Sequence, residues 1–145
     1  MENAMKQLSD EVHAEIVALC KEGDDLVKTG ELPAAKRKYI SALDLLPENH
    51  REWDAATWIY VAIGDVNLKM KDIERAFRCF FNAVQCPNGL GNPYIHLRLG
   101  QIYFDQGSLD KAADELTRAY MGAGLKIFME DDPKYLDFLE TRIEI

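Results

Sequence analysis

Gly64-Asp65-Val66-Asn67-Leu68-Lys69-Met70-Lys71-Asp72-Ile73-Glu74-Arg75-Ala76-Phe77-Arg78-Cys79-Phe80-Phe81-Asn82-Ala83 is the stretch that decides the fold. Its glycine is followed twelve residues later by Ala76, sixteen later by Phe80 and nineteen later by Ala83. The same residue classes recur at the same spacing in Gly23, Ala35, Tyr39, Ala42 and in Gly100, Ala112, Leu116, Ala119. Such a period marks stacked units, because one helix pair cannot bury its own apolar face and neighbours must complete the core. A glycine inside a helix costs about 1 kcal/mol relative to alanine. Three in register imply that a paired helix comes too close to admit a Cβ.

Working outward, every periodic segment reads as helix, and alternating strand-like runs are missing. The first helix starts after Ser9 or Asp10 and ends at Gly30, and the second opens near Pro33 and stops at Pro47. A third runs from about His50 to Met70. There His50 to Ala56 are seven residues beyond the repeat, expected to lengthen the helix by two turns and carry Trp53 with it. Asp72 caps the fourth helix, which ends before Pro87. Asn92-Pro93 opens the fifth, which ends at Gly107, and Ser108 caps the sixth. In the tail, Asp132-Pro133 starts one more helix, with Leu136, Leu139 and Ile143 on one stripe and Tyr135 and Phe138 on the next. It is expected to cover the last apolar face.

Repeats at about 16–49, 57–90 and 93–126 resemble the tetratricopeptide (TPR) pattern. They carry Leu19, Gly23, Leu26, Ala35, Tyr39, Ala42, Pro47; then Tyr60, Ile63, Gly64, Ala76, Phe80, Ala83; then Leu99, Gly100, Tyr103, Ala112, Leu116, Ala119. Departures are Glu22 and Asn67 at usually apolar positions, and Asn88 and Gly124 for the closing proline. The resemblance implies an all-α, right-handed α-solenoid of three helix–turn–helix pairs with a C-terminal capping helix in a tail at 127–145, as a single domain over 1–145. It further implies a non-catalytic module that binds another protein or peptide in a concave groove. Carried over by position, that groove holds Val17, Cys20, Asp24, Trp58, Val61, Asp65, Tyr94, Leu97, Arg98, Gln101 and Phe104. Trp58, Tyr94 and Phe104 offer the aromatic area enriched in binding hot spots, or else pack between repeats. Asp24 and Asp65, equivalent in successive repeats, favour an apolar segment with a Lys or Arg, or else are simply solvated.

TPR proteins that hold acidic chaperone tails use a clamp of two Lys, two Asn and one Arg. Here the matching positions are Cys20, Asp24, Ala62, Tyr94 and Arg98, so binding of such tails is not expected. The net charge of −8 disfavours nucleic acid and anionic membrane as partners. Lys36, Arg37, Lys38, Arg75 and Arg78 nevertheless make one outer helix face locally basic. Three sparse cysteines make a poor disulfide framework and point to a reducing, cytoplasmic setting. Met1-Glu2-Asn3-Ala4-Met5-Lys6 is followed by no apolar run, so no signal peptide is expected.

No cofactor, metal or catalytic set is expected either. His13-Ala14-Glu15 lacks the Pro-Cys-x-x-Cys of zinc deaminases. Gly89-Leu90-Gly91 follows a helix and lacks a completed phosphate loop. An enzyme is thus the third reading. The second is an immunity or inhibitor protein, since residues 124–136 resemble the ends of short bacterial TPR proteins, some of which neutralise toxins. Homodimerisation through Tyr135 and Phe138 is the remaining option.

Overall fold

The computed structural model describes residues 8–145, and among them seven α-helices and no strand. The Met1–Lys6 stretch lies outside the described residues. The chain divides into two compact units, one ending at Asn88 and one spanning Gly89–Ile145.

The first unit holds α1 (Asp10–Lys28), α2 (Leu32–Asp44), α3 (Asp54–Lys69) and α4 (Ile73–Val84). α1 packs on α2, α2 on α3 and α3 on α4. The glycine spacing is the reason for the pairing. A Cβ on Gly23 would lie 2.7 Å from Tyr39 Cε1, and one on Gly64 would lie 2.8 Å from Phe80 Cζ. Each partner is the large apolar residue sixteen positions on, buried in the paired helix. Ala35, Ala42, Ala76 and Ala83 are fully buried beside them. Burying one ring such as Phe80 contributes on the order of 2–3 kcal/mol, more than the intrahelical glycine costs.

Helix ends follow local chemistry. Ser9 Oγ accepts from the Val12 N–H at 3.2 Å, and Asp72 Oδ1 from Arg75 N–H at 3.2 Å. α1 closes over Gly30 at φ +80, where Glu31 N–H donates to Leu26 O at 2.9 Å. α3 makes the same turn, with Asp72 N–H on Asn67 O, but through Lys71 at φ +65. A side chain in that left-handed region costs about 1–2 kcal/mol.

The expected lengthening of α3 does not occur. Residues His50–Glu52 form a separate 3-10 turn after Asn49 at φ +65. Trp53 is extended (φ −118, ψ 130), and the helix starts at Asp54. Only three of the seven extra residues join it. Trp53 at the break is 8% exposed and belongs to the same buried cluster as Ile16, Ile59 and Leu46.

The second unit holds α5 (Pro93–Asp105), α6 (Leu109–Ala123), a 3-10 turn Leu125–Phe128, and α7 (Pro133–Glu140). Gly100 repeats the close approach, its notional Cβ 2.6 Å from Leu116 Cδ2. Asn92 Oδ1 accepts from Tyr94 N–H at 3.0 Å and Ile95 N–H at 3.4 Å. Ser108 stands at the start of α6 but makes no capping hydrogen bond with its side chain. The tail closes the array as expected of a cap. Phe128 and Leu139 are buried with Leu97, Leu116 and Ala119, and Tyr135, Leu136 and Ile143 pack against that cluster.

Candidate functional site

On the first unit, α1 and α3 border an open cleft with Tyr39 of α2 at its base. Two adjoining cavities of about 380 and 370 Å³ share Asp24, Tyr39, Trp58 and Ala62. One extends over Val27, Lys28, Val61, Asp65 and Lys69, the other over Val17, Cys20 and Lys21. The structure thus gathers Val17, Cys20, Asp24, Trp58, Val61 and Asp65 in one place. Trp58 is 41% exposed, a large apolar side chain left in water at the centre of the cleft. Tyr39, a core position of the repeat rather than a groove position, has its hydroxyl donating to Asp24 Oδ1 at 2.5 Å. Burial, and then the Asp24 carboxylate, push that phenol's pKa upward, so it remains a donor.

The charges inside the cleft nearly cancel. Asp24 and Asp65 are accompanied by Lys21, Lys28 and Lys69, and Asp24 already serves Tyr39. Cys20 is only 8% exposed. Its thiol is pushed up to about 11, first by burial and then by the Asp24 charge, the opposite of an activated nucleophile. No group of three potential metal ligands occurs among the described residues. Nor is any helix among them long and apolar enough to cross a membrane.

On the second unit the groove positions meet the chain's own tail. Leu97 is 1% exposed under Phe128 and Leu139, and Gln101 is 6% exposed. Phe104 packs on Tyr135 (5.5 Å between ring centroids, edge-on) and on Phe138 (5.0 Å). Arg98 donates to Asp131 Oδ1 at 3.3 Å, to Gln101 Oε1 at 2.9 Å and to Tyr94 Oη at 2.9 Å. Tyr135 Oη donates to Asp105 (2.9 Å), which also pairs with Lys134 at 3.3 Å. Leu97 therefore faces the cap rather than open solvent, because the apolar tail needs a surface and α5 supplies it, and Gln101 is buried as well. For the same reason Tyr135 and Phe138, the stripe expected to serve a second copy, are packed within the chain.

The basic outer face is partly neutralised. Lys38 pairs with Glu22 (2.9 Å), Arg75 with Asp72 (2.9 Å) and Arg78 with Glu74 (2.6 Å). The sequence reading missed a further cavity of about 400 Å³ beside Trp58, lined by Leu8, Asp10, His13, Trp53, Asp54 and Ala55. Its two halves are some forty residues apart in the chain, and no local spacing signals it.

No protein-family model matches the chain, and no curated protein matches it. Solved structures do. The Yersinia enterocolitica type III secretion chaperone SycD, in complex with a peptide of the translocator YopD, is 15% identical with a TM-score of 0.68, over 92% of this chain and 93% of that one. The C-terminal TPR-containing domain of a Plasmodium falciparum FK506-binding protein is 19% identical with a TM-score of 0.68, over 95% and 93%. The fold is of the TPR type: all-α, with adjacent helices packed in pairs.

Proposed function

We propose that the chain is a non-catalytic protein-interaction module that holds a peptide segment in the α1/α3 cleft of its first unit. The observation that carries this reading is Trp58, exposed between cavities whose base, Tyr39, is fixed by Asp24. A large aromatic in a preformed apolar depression is the usual anchor of an interface. Val17, Val61 and Ala62 extend the apolar contact. Support from fold comes from the TPR-type likeness, one such structure being a complex with a peptide.

The favoured ligand is an apolar segment. Acidic chaperone tails remain excluded in this reading, since Asp24 would repel a carboxylate and Arg98 is already paired with Asp131. The test is selection from a displayed library of short peptides, followed by titration of the best sequence. Trp58→Ala should weaken it by about 2 kcal/mol or more, roughly thirtyfold, and Val61→Glu should act similarly, with helicity unchanged. Equal affinity in both variants would sink the reading.

A further inference from the structure

The cavity on the far side of Trp58 differs chemically from the cleft. Its walls come from the starts of α1 and α3: Asp10 and His13 on one, Trp53, Asp54 and Trp58 on the other. Two indoles and two carboxylates meet there, and none of the described residues lining it is Lys or Arg. Asp10 makes no ion pair among the described residues. Among the described residues Asp54 meets only the neutral Asn88 amide, at 3.3 Å. Two helix N-termini add about +0.5 charge each, against the two full negative charges of Asp10 and Asp54, so these groups together sum to net negative. Trp53 lines the cavity, and its buried Nε1–H has no acceptor among the described residues, an unmet donor.

We propose that this cavity takes a basic side chain, arginine for preference, carried by the segment that occupies the neighbouring cleft. A guanidinium stacks on an indole face while its fork reaches carboxylates, and among the described residues the carboxylates of this cavity stand without lysines beside them. The basic-residue preference thus belongs to Asp10 and Asp54, while the cleft proper takes apolar side chains. This inference rests on the peptide-binding reading for its occupant, but not for its chemistry.

The chain has two tryptophans, so a nitrogen-15 correlation spectrum shows two indole N–H signals, one of them Trp53, which lines this cavity alone. The probes are N-acetyl-arginine N-methylamide and the uncharged N-acetyl-citrulline N-methylamide. The arginine probe should shift both indole signals saturably and the citrulline probe should not. Asp10→Asn with Asp54→Asn should weaken the arginine response on the order of tenfold. His13→Arg, at an exposed position, should abolish it by placing a cation in the cavity. Circular dichroism confirms that both variants fold. An equal citrulline response, or a Trp53 signal unmoved by arginine, would overturn the proposal. Loss of the arginine response while selected peptides still bind sinks this site alone. An intact arginine response with no peptide bound in the cleft sinks the peptide reading and leaves this site standing.

Discussion

Gly64 lacks a side chain because the Phe80 ring fills the place of its Cβ at 2.8 Å. Gly64→Leu should therefore destabilise by about 1–3 kcal/mol in urea unfolding. The control Ser41→Leu, on an exposed helix face, should stay within about 0.5 kcal/mol. Lys71 tests the opposite sign. It occupies the left-handed position that Gly30 and Gly107 fill in the other two pairs, so Lys71→Gly should stabilise by about 1 kcal/mol, read as a higher melting temperature. Cys20 gives a pH prediction. Its folded pKa of about 11 lies above the ordinary thiol value of 9.0. The unfolded chain therefore loses that proton first, and this contribution to stability is full below pH 9 and fades from pH 9 to 11. Alkylation of Cys20 at pH 8 should be slow in the folded protein and fast in denaturant. Fast alkylation without denaturant would contradict the buried, protonated thiol. Gly64 and Phe80, with their counterparts in the other two repeats, were legible from spacing alone, since glycine, alanine and a large residue at fixed offsets encode one contact made three times; the strain at Lys71 and the burial of Cys20 were not.

Elements were legible where chemistry is local and opaque where it is not. Asn92-Pro93 and Asp132-Pro133 announce α5 and α7 because a short polar side chain can cap the next N–H groups. Asn92→Ala should cost about 0.5–2 kcal/mol of thermal stability. Helical periodicity through His50 to Ala56 is misleading, because Asn49 at φ +65 and the extended Trp53 interrupt the helix there, with Trp53 buried at the break. His96 is a similar case. It is buried, accepting from Gly91 N–H at Nε2 (2.9 Å) and reaching Glu115 through Nδ1 (2.6 Å). With Nε2 accepting, the ring proton sits on Nδ1 and is donated to Glu115. The ring thus pins the Gly89–Asn92 turn to α6. His96→Phe leaves both partners unmet and should cost about 1–3 kcal/mol; a melting temperature equal to the parent's would refute that role. The tail helix could be read as a cap, but not which α5 residues it would occupy. Phe104, Arg98 and Asp105 find their partners about thirty residues away, and nothing in their own neighbourhood records it.

At the scale of the molecule, three helix pairs of TPR type are present; the first unit presents an open cleft, and in the second the tail packs on α5. The division of labour follows from composition. The first unit leaves Trp58 in water, whereas the aromatics Tyr135 and Phe138 find Phe104 within the second. Six of the eleven groove positions read from the sequence line the cleft. The cavity holding Trp53 was invisible, since it depends on how α1 and α3 begin rather than on the repeat. A stoichiometric inhibitor would instead bind a folded partner tightly, with no short segment of that partner competing. The most direct test of the peptide-binding account is the map of backbone amide shifts when the best selected peptide is added. The account predicts saturable shifts concentrated at Val17, Asp24, Trp58, Val61 and Asp65. Shifts confined to α6 and α7, or to the outer faces of α2 and α4, would contradict it.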